Sequence, residues 1–190
     1  MLKKIFFKFC YTVQSLNTFK LLAYKIDPMK FLKKEGATIG LNCRWMSSFI
    51  CSEPYLLSIG NHVSIGYGVQ LITHEGATWV LRELEQNDAL EKFAPIIIGN
   101  NVFLGNNSII FPGVKIGDNV IVGTGSLVTK SIPENSVVVG SPARVLKSID
   151  EFSNDTLKQC ISSRGLNEME RIDFILEHLK AQQGQSTNEK

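Results

Sequence analysis

The stretch Ile98–Ile132, IGNNVFLGNNSIIFPGVKIGDNVIVGTGSLVTKSI, returns an apolar residue at every sixth position. Ile98, Leu104, Ile110, Ile116, Val122 and Val128 hold that phase. The position after each carries Gly99, Gly105, Phe111, Gly117, Gly123 and Thr129, and four places after each stand Val102, Ser108, Val114, Val120, Ser126 and Ile132. A period of six is neither the helical period nor the alternation of a long strand. It suits a short flat strand followed by a sharp turn. The apolar residue fills a narrow core, and the Gly after it permits a tight or positive-φ backbone. Three units close one triangular coil, and stacked coils pair their backbones at about 4.8 Å. Each coil buries its face only against its neighbours, so the solenoid needs several coils and covered ends. The predicted fold is mainly β, a parallel β-helix.

Before this block the pattern runs less cleanly. Ile39-Gly40 with Cys43 opens it, and Trp45 with Phe49 and Cys51 with Tyr55 continue it. Two extra residues then shift the frame, and Ile59-Gly60 with Val63, Ile65-Gly66 with Val69, and Leu71 resume it. The repeat breaks again after Leu71-Ile-Thr-His74-Glu75-Gly76 and returns at Ile98, with Ala94-Pro95 leading in. That interval is long for a turn. Its middle, Trp79 to Glu91, reads as helical or irregular and projects from the coil. The expected organisation is an N-terminal helical cap over 1–35, the β-helix over 36–147 with a loop insertion at 75–95, and a C-terminal helical tail over 148–190.

The ends have their own patterns. Phe6, Phe9, Val13, Leu16, Phe19 and Leu22 recur at near-helical spacing, which suits a cap on the open end of the solenoid. From Met1 to Lys34 there are eight lysines and one acid, Asp27. Such a basic, aromatic segment could also rest on an anionic membrane surface. Near the other end, Asn167 and Glu170 form a capping box, followed by an apolar stripe of Ile172, Ile175, Leu176 and Leu179. Gln182 to Lys190 reads as a polar, frayed end.

Composition narrows the function classes. The 190 residues are 44% hydrophobic and 20% charged with net charge +2, an ordinary globular balance that does not call for nucleic acid. The four cysteines, Cys10, Cys43, Cys51 and Cys160, form no CxxC pair and read as small fillers in a reducing compartment. No His/Cys cluster suggests a metal. The N-terminal apolar run is interrupted by Lys8 and lacks a cleavage site, and no uncharged stretch is long enough to span a bilayer. The expected location is the cytoplasm, with the inner membrane surface as a variant of it.

The runs Ile98-Gly-Asn-Asn-Val-Phe-Leu-Gly-Asn-Asn, Phe111-Pro-Gly-Val-Lys-Ile-Gly-Asp-Asn-Val and Gly123-Thr-Gly-Ser-Leu-Val-Thr-Lys-Ser-Ile-Pro, with Gly140-Ser-Pro-Ala-Arg144, resemble the hexapeptide-repeat acyltransferases. Within them the chain is similar to the maltose, galactoside and capsular-polysaccharide O-acetyltransferases. The resemblance covers roughly residues 36–148. It implies a left-handed hand for the coils, a homotrimer with active sites between subunits, acetyl-CoA as donor and no metal. It implies cofactor contacts at Phe103, Gly105, Gly123, Thr124, Thr129 and Lys130, with Lys130 and Arg144 as partners for CoA phosphates. Phe103 stands where several sugar acetyltransferases carry Trp.

His74 borders the insertion and sits three residues beyond an inward position, so it should face outward. Acyl transfer to a hydroxyl needs a base as the oxygen attacks the thioester, and a neutral imidazole of pKa about 6.5 suits that task. The two other histidines, His62 in a regular hexad and His178 in the tail, read as surface residues. Glu75 could orient the imidazole or contact the acceptor, or be a solvated loop carboxylate. Trp79 and Arg82 are candidates for the acceptor site, by stacking on a sugar face and by binding hydroxyls or a carboxylate. The expected function is acetyl-CoA-dependent O-acetylation of a sugar hydroxyl, in surface-polysaccharide (capsule or O-antigen) biosynthesis. Alternatives are acetylation of another small acceptor, such as an antibiotic or an amino sugar, and a catalytically silent β-solenoid that organises an assembly. A carbonic-anhydrase-like solenoid would need more histidines than His62 and His74 on the coils.

Overall fold

A computed structural model of the chain describes residues 17–49 and 51–186. Its contacts divide the chain into two units, one through Phe152 and one from Ser153. In the first, thirteen short strands build three sheets. The first sheet stacks β1 (Thr38–Ile39), β3 (Leu57–Ile59), β6 (Ile96–Ile98) and β9 (Lys115–Ile116). The second stacks β2 (Arg44–Trp45), β4 (Val63–Ile65), β7 (Val102–Leu104), β10 (Val120–Val122), β12 (Ser136–Gly140) and β13 (Ala143–Ser148). The third stacks β5 (Gln70–Leu71), β8 (Ile109–Ile110) and β11 (Leu127–Val128). Every pairing is parallel except β12 with β13, which closes the solenoid as a hairpin through a cis Ser141–Pro142 bond. Pairing an edge strand with its own continuation leaves fewer open backbone groups at that end.

The six-residue period becomes vertical files of side chains. Ile39, Ile59, Ile98 and Ile116 are register partners along the first sheet, and Ile116 is bridged to Ile132. Trp45, Ile65, Leu104, Val122 and Val138 form the second file, and Leu71, Ile110 and Val128 the third. Apart from Trp45, which is half-buried, these residues form one buried core. Phe49 and Tyr55 point outward rather than into the core, at 41% and 64% exposure. Ser47 and Pro54 are buried beside them instead. Trp45 is held at the margin because its indole N–H donates to the Tyr24 hydroxyl and the Ser47 carbonyl.

The glycines after the inward residues answer a different need from a positive φ. A Cβ on Gly60 would stand 2.6 Å from the Gly99 oxygen, and one on Gly105 would stand 2.5 Å from the Thr124 nitrogen. Both would strike the backbone of the next coil. The left-handed positions lie further along each turn, at Asn42, His62, Asn101, Asn119 and Asn135, with φ of 53–57°. Asparagine tolerates that region better than most residues. Stacked one per coil, the side chains from His62 onward form a ladder. His62 Nδ1 meets Asn101 Oδ1 at 2.8 Å, Asn101 donates to Asn119 at 2.9 Å, and Asn119 donates to Asn135 at 2.9 Å. A neighbouring ladder runs from Asn61 to Asn100 to Asp118. The Asn100 backbone and side-chain N–H groups hold the Asp118 carboxyl below the usual carboxylate range.

Two helices precede the first coil. In α1 (Asn17–Ile26), Ala23 and Tyr24 are buried, and in α2 (Pro28–Lys34), Phe31 and Leu32 are buried. All four belong to the same core as the coil residues. Asp27 caps α2, its Oδ1 accepting from Lys30 N at 3.0 Å with Pro28 in the first turn. The Tyr24 hydroxyl donates towards the Phe49 and Ser47 carbonyls at 2.7 and 3.0 Å, and burial pushes its pKa up to about 12. Leu22 packs against the core. The other members of the expected N-terminal stripe, Phe6, Phe9, Val13, Leu16 and the Phe19 side chain, lie outside what the structure describes, as does Cys10.

α4 (Ile149–Leu157) follows β13, and α5 (Glu168–Ser186) ends the described chain. The capping box at α5 is formed. Glu170 N donates to Asn167 Oδ1 at 3.0 Å, and Asn167 N donates to Glu170 Oε2 at 3.1 Å. Ile172, Leu176 and Leu179 on its stripe are exposed. Of the described cysteines, Cys51 is buried, Cys43 half-buried and Cys160 exposed, so the filler reading fails for Cys160. Among the described residues no helix is long and apolar enough to cross a membrane, and no cluster of metal-ligating side chains occurs.

Candidate active site

The insertion opens between the second and third coils. Ile65 and its partner Leu104 lie 39 positions apart, one 18-residue coil plus 21 residues of excursion. The chain leaves through His74 and returns through Phe93, and these two residues form an antiparallel bridge. Glu75 N donates to the Lys92 carbonyl and Ala94 N to the Thr73 carbonyl, both at 2.9 Å. His74 is therefore pinned by backbone on both sides. Between these limbs stands α3 (Thr78–Leu84). A cleft of about 280 Å³ lies here, lined by Glu53, His74, Glu75, Trp79, Arg82, Lys92 and Phe93 with neighbouring loop residues.

One group in the cleft was not legible in the sequence. His74 Nδ1 lies 3.1 Å from Glu53 Oε2. The imidazole is 45% exposed and the Glu53 side chain 15%. An ionised carboxylate only accepts, so Nδ1 carries a proton, and in the neutral ring Nε2 has the lone pair. The Phe93 ring packs edge-on to the imidazole, with centroids 6.3 Å apart. Thr73 Oγ1 donates to the same Glu53 oxygen at 2.5 Å, and Cys51 Sγ lies 3.4 Å from Thr73 Oγ1. Burial pushes the Cys51 thiol up.

Glu53 arrives from the irregular first coil. In the regular coils register partners are 18 residues apart, as at Leu104 and Val122. Thr38 pairs with Ser58 and Arg44 with Ser64, a step of 20. The two additional residues let the chain bulge through Cys51–Glu53 and a 3-10 turn at Pro54–Leu56. The carboxylate reaches the coil above, 20 residues before Thr73 and 21 before His74. The signal was the frame shift itself, placed one coil before the candidate base.

The other expected site residues fall into groups. Glu75 lines the cleft, but it does not orient the imidazole. Its Oε1 accepts from Ala77 N at 3.1 Å and its carbonyl accepts from the Thr78 hydroxyl, so it shapes the first turn of α3. Trp79 is 75% exposed over the cleft. Arg82 also lines it, yet its Nε donates to the Leu90 carbonyl at 2.9 Å, tying the two limbs of the insertion. Phe103 lies on the outward face of the second sheet, between Ser64 and Ile121. Gly105, Gly123 and the exposed Thr124 stack at the corner that follows that sheet. Both glycines are already required there, since a Cβ on Gly123 would meet Val139 Cγ1 at 2.8 Å. Exposed Thr129 and Lys130 sit after β11, on a different corner, and Arg144 lies exposed on β13 beside Val139. None of these seven residues lines the His74 cleft.

Similarity to known proteins agrees with this architecture. A family model described as hexapeptide repeat of succinyl-transferase matches residues 95–130. Protein CapG of Staphylococcus aureus is 43% identical over 152 residues, covering 78% of this chain and 87% of that protein. Galactoside O-acetyltransferase of Escherichia coli (strain K12) is 39% identical over 129 residues, covering 68% of this chain and 62% of that protein. Among solved structures, a galactoside acetyltransferase in complex with coenzyme A matches with TM-score 0.53 and 25% identity, covering 80% of this chain and 81% of that one. Repeat, fold and likeness coincide: the chain belongs to the hexapeptide-repeat acyltransferases.

Proposed function

We propose that the protein transfers the acetyl group of acetyl-CoA directly to a sugar hydroxyl, with His74 as general base. The observation that carries this reading is the Glu53–His74 pair, half-open to a cleft where the β-helix is interrupted. A silent solenoid gives no reason to hold an imidazole in one tautomer at an open cleft. Nε2 takes the proton of the acceptor hydroxyl as its oxygen attacks the thioester carbonyl. The tetrahedral intermediate collapses, the C–S bond breaks, and the imidazolium returns the proton to the CoA sulfur. Glu53 stabilises the imidazolium between these steps.

Trp79 offers a broad ring for stacking on the apolar face of a sugar. Glu75 and Arg82 lie close enough to contact acceptor hydroxyls at the same cleft. For the donor, the resemblance assigns the pantetheine arm to Gly105 and Gly123, further cofactor contacts to Phe103, Thr124 and Thr129, and the phosphates to Lys130 and Arg144. These residues are remote from His74 within one chain. A homotrimer, in which one subunit's cofactor face meets another's cleft, would bring the two halves together. The acceptor belongs to surface-polysaccharide biosynthesis in this reading. The protein works in the cytoplasm, and the lysines before the first coil hold it near an anionic membrane surface.

The test is thioester consumption. Purified protein and acetyl-CoA are offered a panel of sugars, nucleotide sugars, amino sugars and antibiotic hydroxyls, and thiol release is followed. Release that depends on a sugar hydroxyl is expected. No acceptor-dependent release, together with no acetyl-CoA binding by calorimetry, overturns the reading.

A further inference from the structure

We propose that Thr73 is a positioning residue for His74, acting through Glu53, with the Cys51 thiol directing its hydroxyl. Glu53 Oε2 receives two donors, Thr73 Oγ1 at 2.5 Å and His74 Nδ1 at 3.1 Å. The Thr73 hydroxyl has one proton, and that proton is committed to the carboxylate. Its lone pairs remain, and Cys51 Sγ lies within reach at 3.4 Å. The buried thiol keeps its proton, so it donates to Thr73 rather than accepting from it. The sequence of donors runs Cys51 to Thr73 to Glu53, and it meets the Nδ1–H of His74 coming from the other side.

Thr73 itself is 1% exposed, although His74 beside it is half-open. Most polar side chains buried that deeply make their hydrogen bonds, and Thr73 makes its bond to Glu53. The bond here sets where the carboxylate sits. Glu53 lies on a bulge ahead of Pro54, where the Glu53 side chain would otherwise be free to turn to solvent in the cleft. Anchored by Thr73, it is held against Nδ1, and Nε2 faces the acceptor. The inference rests on the acetyl-transfer reading with His74 as base, and it adds the group that keeps that base in one tautomer.

The deciding measurement is long-range ¹⁵N–¹H NMR of the imidazole rings in the full chain at a pH where His74 is neutral. His74 is assigned by its loss in His74→Ala. The wild type shows the Nδ1–H tautomer. Thr73→Val, which keeps volume and removes the hydroxyl, moves His74 towards a mixture with the Nε2–H form. Thr73→Ser restores the wild-type spectrum. If Thr73→Val does not fold, Thr73→Ala carries the same expectation. With a sugar that supports thiol release in the wild type, Thr73→Val lowers kcat about tenfold and leaves KM for acetyl-CoA unchanged. The loss vanishes in a Glu53→Gln background. An unchanged tautomer in the hydroxyl-free variant, or a Ser variant that behaves like Val, overturns the proposal. The tautomer does not depend on turnover. Failure of the acetyl-transfer reading is seen instead as no acceptor-dependent thiol release by the wild type, and failure of His74 as its base as full activity in His74→Ala.

Discussion

The regular coils from Ile96 onward and the irregular first coil treat buried polarity in opposite ways. In the regular coils the interior is files of Ile, Leu and Val, and of the three buried serines there only Ser136 makes a hydrogen bond, donating to the Pro133 carbonyl at 2.6 Å. Ser108 and Ser126 are fully buried with no hydrogen-bond partner for either hydroxyl. In the first coil the buried or half-buried polar groups are joined. Ser47 donates to the Val69 carbonyl at 2.7 Å, Trp45 donates to Tyr24, and Cys51, Thr73 and Glu53 run on to His74. The contrast teaches where each property resides. Periodicity builds a core from repeated apolar contacts, whereas the site is built where the period fails and the chain gains room to bring a carboxylate under the next coil.

Substitutions can break this contrast. The largest effect is expected at the site. His74→Ala should lower kcat by about 10²–10⁴-fold while acetyl-CoA binding is retained, as steady-state kinetics and calorimetry will show. If the regular coils carry the stability, Leu104→Ala should cost about 2–5 kcal/mol in denaturant unfolding, because a fully buried side chain between Ile65 and Val122 leaves a cavity. Glu53→Gln should reduce kcat about 10- to 100-fold with a much smaller change in melting temperature, since it removes a charge-assisted hydrogen bond from a partly open cleft. An equal loss of stability would mean that Glu53 is part of the core rather than of the site. The smallest effect sharpens the difference in polarity. Ser126→Ala should be neutral or stabilise by up to about 1 kcal/mol, because the hydroxyl it removes is unsatisfied.

The fold was legible because the relevant physics is local and repeated. A six-residue spacing of apolar residues says which side chains face inward wherever the coil is regular, and Ile98, Leu104, Ile110, Ile116, Val122 and Val128 all do. The same rule failed at Phe49 and Tyr55, where the coil has 20 residues and phase no longer reports direction. The role given to the glycines was half right. Close approach of the next coil demands Gly60 and Gly105, whereas the positive φ angles fall elsewhere in the turns, on asparagines, His62 and other glycines such as Gly68, Gly113 and Gly125.

At the site, sequence sufficed to single out His74, because it stands at the edge of the break and outside the inward phase. It pointed to Glu75 as the neighbouring carboxylate, being adjacent in the chain. Adjacent residues in extended backbone point to opposite sides, and Glu75 turned out to shape α3 instead. Glu53, Thr73 and Cys51 meet His74 only because one coil lies on another. The sequence by itself therefore determined a stacked β-coil with one interruption and one imidazole beside it. Tertiary structure alone decided which carboxylate faces that imidazole, because stacking turns a separation of 21 residues into 3.1 Å, and two inserted residues set which side chain arrives there.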